Sequence, residues 1–371
     1  MQTTNEQLLD LLGQPHTQFV IPAYQRAYSW GEGECRELWL DLHRAARASA
    51  NHFMGTFLYA EDKPVGNAGE EAAGSRRLAI VDGQQRLTTL TLVLIALSRH
   101  LKATGRHVSC ATGGEATSIS AESISERYLF ANAQDVKLTL SRNDRDTLRA
   151  IVRNEALPAN APKNLTHNLA FFEGLMAEPD FDANQLWAGL THLAVIAAQV
   201  QQDDPAQLIF ESLNSKGLPL TTADLVRNYL LLAESHEEQT RLYDQYWQTI
   251  EGVFQPDPGS LRLDNGIQGW LSVRFRKVRA KGTGEVYGVF KQYVEDEFTG
   301  TTESLLRELR NFCLVWAENY RYHAVKKYKS AGGWAVGGAA TLTAGYEKKP
   351  ASNQALADRM RRDLNATDAS L

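Results

Sequence analysis

Ile80-Val81-Asp82-Gly83-Gln84-Gln85-Arg86-Leu87-Thr88-Thr89-Leu90 is the stretch on which the fold turns. Arg77 to Val81 reads as a strand and Asp82-Gly83 as a tight turn, and from Gln84 onward Leu87, Leu90, Leu94 and Leu97 recur at helical spacing. A strand that ends in a glycine turn and enters a helix presents free backbone N–H groups and the positive end of the helix dipole, where phosphate binds readily. Arg86 adds a planar donor fork, Asp82 a carboxylate able to hold a divalent cation, and Gln85 an amide able to orient a water. On spacing alone, a plain turn followed by a helix start explains the same residues equally well. A Walker A glycine loop with Gly-Lys-Ser or Gly-Lys-Thr is absent, so nucleotide chemistry needs another scaffold.

Upstream, Gln18 to Ile21 reads as a strand stopped by Pro22. Pro22 to Trp30 packs Tyr24, Gln25, Arg26, Tyr28 and Trp30 into nine residues, a mixture able to stack on bases and bond phosphates. The competing reading makes Tyr28 and Trp30 core anchors and Arg26 a solvated charge. Glu32 to Ala46 is an amphipathic helix. Phe53 to Ala60 is a strand, joined to Arg77–Val81 by a mobile hairpin loop rich in Gly, Ala and Glu. A short capped helix is expected from Thr4 to Gly13, and SCATGGEATSIS, residues 109–120, reads as a linker or long loop.

The remainder is mostly helical in pattern. It holds a short strand candidate at Val136 to Leu140 and an apolar run at Leu193 to Val200. Helices are expected at Ala206–Leu213, Ala223–Leu232 after a Thr221-Thr222 cap, Leu242–Val253 and Leu305–Tyr322. The fold class is therefore α/β followed by mostly α. The expected division is a core at 1–105, a helical region at 106–330, and a linker or tail at 331–371.

Across 371 residues, 43% are hydrophobic and 22% charged, as in globular domains. Lys and Arg total 39 against 44 Asp and Glu, a net −5, so attraction to DNA needs a local patch. Arg274, Arg276 and Lys277, with Arg279 and Lys281, form one basic cluster, and Arg321 to Lys329 another; solvated faces explain them as readily as DNA grips. The three cysteines show no zinc or disulfide spacing. No apolar run reaches the roughly 20 residues a bilayer needs, and no export signal opens the chain, so a cytoplasmic protein without membrane contact is expected.

Ile21-Pro22-Ala23-Tyr24-Gln25-Arg26 with Trp30, Gly55, Asp82 to Thr88, Ile209 to Asn214 with Gly217 and Leu220, and Asp224 to Asn228 follow one another in an order that resembles the N-terminal domain of GmrSD-type modification-dependent restriction enzymes. Within that group the likeness is to the phosphorothioate-sensing, SspE-type members. The resemblance implies a ParB/sulfiredoxin-like small mixed-sheet core with a large helical region, hydrolysing GTP or ATP with Mg²⁺. Asp82, Gln84, Gln85 and Arg86 would be catalytic, Asp82 the metal ligand, and Gly83, Thr88 and Asn214 nucleotide-binding. Pro22, Tyr24, Gln25, Arg26 and Trp30 would meet modified, phosphorothioated DNA, while Arg274, Arg276 and Lys277 are expected at DNA from their charge clustering alone. The implied partner is an HNH nuclease domain in the same or another chain, homo-oligomers are allowed, and the tail would lead toward that nuclease, whose signature is absent here. The contrasting expectation is a non-enzymatic DNA-binding or protein-interaction module whose loop binds a backbone phosphate.

Overall fold

The fold comes from a computed structural model that describes residues 2–62, 76–112, 115–201, 204, 220–232, 234–254, 263–274 and 282–330. Two compact units divide at Ser215/Lys216.

The first unit is built on a six-stranded mixed sheet in the order β1-β8-β3-β4-β2-β7. Its strands are β1 (Gln2–Gln7), β2 (Thr17–Val20), β3 (His52–Glu61), β4 (Arg76–Asp82), β7 (Leu138–Thr139) and β8 (Leu193–Val200). β3 and β4 pair antiparallel, as their hairpin spacing predicts, while β4–β2, β2–β7 and β3–β8 pair parallel. The strands that complete this sheet, β7 and β8, lie beyond residue 105. Around it run α1 (Leu8–Leu12), α2 (Glu32–Ala48), α3 (Gln84–Thr104), the short α4 (Ala121–Ile124), α5 (Arg142–Arg153), α6 (Lys163–Met176) and α7 (Ala183–Thr191).

Helix α3 is the axis of the core. Every residue from Leu87 to Ser98 is buried, the mark of a helix surrounded by protein on all sides. It packs on α6, and Leu90, Leu94 and Leu97 join Phe19, Leu42, Phe57, Ile80, Phe172 and Val195 in one apolar cluster. Helices α2 and α7 approach so closely that a Cβ on Gly189 would overlap the Leu42 carbonyl.

Two expectations are corrected. Residues 2–7 form a strand and only Leu8–Leu12 a helix. Gln2 to Gln7 hold no large apolar side chain to bury, whereas their backbone gains an antiparallel ladder along β8. The segment read as a linker forms a hairpin of β5 (Val108–Thr112) and β6 (Glu115–Ile119), in register from Val108↔Ile119 to Thr112↔Glu115.

The described part of the second unit is helical, at Thr222–Leu231, His236–Phe254, Leu263–Arg274, Thr283–Asp296 and Thr302–Ser330. The Thr221 cap is present, its hydroxyl accepting from Asp224 N at 3.1 Å. A π-helical turn at Tyr243–Trp247 interrupts the second of these segments. Arg227 is buried between Asp224 and Glu251, each at 2.7 Å, and Tyr243 and Trp247 also donate to Glu251. The expected helix at Ala206–Leu213 and the tail from 331 lie outside the described residues. Among the described residues no helix is long and apolar enough to cross a membrane.

Candidate functional site

The Asp82–Arg86 turn and the Pro22–Trp30 segment are one built object, joined by side-chain amides on backbone groups. Gln25 Nε2 donates to the Val81 carbonyl at 2.8 Å. In return Gln84 Nε2 donates to the Arg26 carbonyl at 2.9 Å. Gln85 uses both ends of its amide: Oε1 accepts from Ser29 N at 2.8 Å and Trp30 N at 3.2 Å, and Nε2 donates to the Ala27 carbonyl at 3.3 Å. All three glutamines are buried, so each bond also satisfies an amide that burial would otherwise leave unpaired.

Arg86 ties the turn to β3. Its guanidinium donates to the Met54 carbonyl and, at 2.9 Å, to the Thr56 carbonyl. These carbonyls flank Gly55, where β3 slips its register against β8 and the backbone turns to φ +93°. The two prongs of the fork thus take up acceptors at the bulge. The guanidinium sits 5.1 Å from the Phe57 ring centre and 3.5 Å from Asp82. Burial draws its pKa below the usual value, and Asp82 partly offsets this.

Gly83 caps α3 at φ +97°, and no side chain caps the helix there. An added Cβ would lie 2.8 Å from the Phe57 ring, so the glycine answers both a left-handed backbone and a close approach. The first turn of α3 thereby keeps its N–H groups free of side-chain acceptors, beside side chains of Asp82 and Arg86 that are 24% and 22% exposed. This arrangement can receive an anionic oxygen and hold a cation next to it.

Residues that sequence reading missed hold the other side of the segment. Asn168, fully buried on α6, donates to the Tyr28 hydroxyl at 3.0 Å and to the Trp30 carbonyl at 2.9 Å. Tyr28 Oη lies 2.8 Å from Thr89 Oγ1, whose proton goes to the Gln85 carbonyl. The chain of donors therefore runs Asn168, Tyr28, Thr89, Gln85. Buried Asp144 of α5 accepts from Tyr28 N at 2.7 Å. Burial pushes the Tyr28 phenol well above its usual pKa, and the nearby Cys35 thiol up to about 11. Asn168 and Asp144 sit in polar surroundings of the sequence with no motif spacing to single them out.

The expected residues of Pro22–Trp30 and Asp82–Thr88 are thus brought together, though not all with free side chains. Pro22 and Tyr24 are buried, so in this conformation the Tyr24 ring offers no face to a base. The Thr88 hydroxyl is spent on the Gln84 carbonyl at 2.8 Å. Gln85 braces the segment with both ends of its amide, Oε1 accepting from Ser29 N and Trp30 N and one Nε2 hydrogen going to the Ala27 carbonyl. Arg26 and Trp30 stay half-buried and Ser29 exposed. Arg274 bonds Glu308 at 2.5 Å, which neutralises it, while Arg276, Lys277 and Asn214 lie outside the described residues.

A search of the curated proteins finds none that matches. The family described as GmrSD restriction endonuclease, N-terminal domain, matches residues 8–231, more than half of the chain, a span that holds both the Pro22–Trp30 segment and the Asp82–Arg86 turn. The chain belongs to this family of restriction-endonuclease N-terminal domains.

Proposed function

We propose that this chain is the nucleotide-hydrolysing sensor module of a phage-defence restriction system, reading phosphorothioated DNA and passing that signal to an HNH nuclease domain in the same or a partner chain. The observation that carries the reading is the amide lacing of Pro22–Trp30 onto Asp82–Arg86. A ligand that shifts one segment pulls on the first turn of α3. Arg26 and Trp30, both half-buried in this one segment, would give it a cation and an apolar face, chemistry that suits a sulfur-bearing phosphate, more polarizable and less hydrated than its oxygen counterpart.

At the turn, the free N–H groups of α3 and the remaining donors of Arg86 would bind the phosphate oxygens and stabilise charge as water attacks the γ-phosphorus. The residues also fit Mg²⁺ as such sites hold it, with one carboxylate, Asp82, and the other ligands from phosphate and water. Among the described residues no cluster of three or more metal-ligating side chains forms a protein-only cage. When bound, the ion supplies charge neutralisation to the phosphates. Arg86 orients, Gly83 lets the backbone come close, and Gln84 and Gln85 hold the segment in place.

The bonding of both glutamine amides to the backbone favours a second reading, a module that binds a backbone phosphate without splitting a nucleotide. Phosphate release from GTP and ATP, with plain or phosphorothioated duplex, separates the two. Hydrolysis predicts release stimulated by the modified DNA and a drop of about 10²-fold or more in Asp82→Asn at unchanged melting temperature. Release undiminished in Asp82→Asn contradicts the assignment; no release from the wild-type chain leaves the binding module.

A further inference from the structure

Helix α5 carries a row of guanidinium groups that the site does not use. Arg145, Arg149 and Arg153 recur every fourth residue, so they share one face, about 6 Å apart along the axis. Buried Leu148 and Ile151 fix the opposite face of the helix in the core. The three arginines line a cleft of about 340 Å³ beside the β7 edge, with Gln18, Val136 and Thr139 among its other walls. Arg145 and Arg149 are exposed and Arg153 is half-buried. Arg153 lies over the Phe130 ring and donates to the Gln134 carbonyl. Among the described residues no carboxylate forms an ion pair with any of the three. Like charges at this spacing repel one another, and a row of anions laid along them relieves that repulsion.

The row begins at the candidate site. Arg145 follows Asp144, whose carboxylate holds the Tyr28 N–H. Three carboxylates also border the cleft: Asp135, Asp146 and Glu155. Asp135 accepts from Asn132 at 2.9 Å, while Asp146 and Glu155 are exposed. They disfavour a pocket for a small free anion. An extended polyanion running along the row meets three guanidinium groups in turn over roughly 12 Å, and in a chain of net charge −5 such attraction has to be local.

We propose that this face of α5 grips the phosphate backbone of duplex DNA and delivers it to the Pro22–Trp30 segment. The proposal rests on the reading of that segment as the DNA sensor and adds a sequence-independent positioning surface to it. The experiment is anisotropy titration of labelled plain and phosphorothioated duplexes with the full chain across a salt series. Arg145→Ala/Arg149→Ala should lower the slope of log K against log[salt] by about 2, near 0.9 per phosphate contact. Both duplexes should weaken alike, and Asp146→Asn should bind more tightly than wild type. Arg44→Ala on α2 is the control for simple loss of a surface charge. An unchanged slope in the double variant, or an equal loss per charge in Arg44→Ala, overturns the grip. Discrimination between duplexes by the wild type with no effect of the α5 variants leaves the sensor reading standing without it. Loss of slope with no discrimination leaves the grip and removes the phosphorothioate reading.

Discussion

Lys137 is a charge held where water hardly reaches: the residue is 3% exposed and its ammonium donates to the Gln14 carbonyl. Burial, and then the Arg127 charge, draw its pKa from 10.5 down to about 8. Below pH 8 the folded and unfolded chains are both protonated, and the full penalty of the buried charge is present. Between about 8 and 10.5 the unfolded chain still binds the proton that the folded chain has released, so this residue's contribution to stability rises with pH. Against Lys137→Met, the unfolding free energy of the wild type should therefore climb through that window by an amount on the order of a few kcal/mol. Chemical denaturation at stepped pH reads it; parallel profiles for the two proteins would remove the account. Nothing in the sequence around Lys137 announced this, since a lone lysine before a short strand reads as surface. Asp82, Gly83 and Arg86 were legible as residue types at a turn. The bonds of Gln84 and Gln85 were not, because their partners lie 55 to 58 residues away.

At the scale of elements, β3, β4 and α3 could be read from alternation, a glycine turn and leucine spacing, all local signals. β1, β5 and β6 could not, because short polar strands are defined by the neighbour they pair with, and β8 showed only as an apolar run, which a central strand flanked on both edges shares with a buried helix. The bulge of β3 is where element geometry meets the site. Gly55 has φ +93°, and a Cβ there would overlap the Arg86 guanidinium held on the Met54 and Thr56 carbonyls. Gly55→Ala should cost about 1–3 kcal/mol through the backbone conformation and the displaced arginine, whereas Gly33→Ala in α2, with open space around its Cβ, should be neutral or slightly stabilising. Urea titration of the two variants checks this, and equal midpoints would show that the bulge does not need its glycine.

The whole molecule is one in which the Pro22–Trp30 segment and the Asp82–Arg86 turn share a single set of bonds, in a chain belonging to the N-terminal domain family of GmrSD restriction endonucleases. Net charge and composition said only that the protein is globular and that any DNA contact is local. The decisive property is coupling, which is a free energy and must be reciprocal. The most direct measurement is the affinity for a phosphorothioated duplex with and without a non-hydrolysable GTP or ATP analogue, paired with the affinity for the analogue with and without that duplex. The laced site predicts that each ligand changes the other's dissociation constant by the same factor, about 5-fold or more, and that Gln85→Ala, which cuts the lacing at Ser29 and Trp30, brings the factor toward one. Binding of both ligands with dissociation constants that ignore each other would contradict the account.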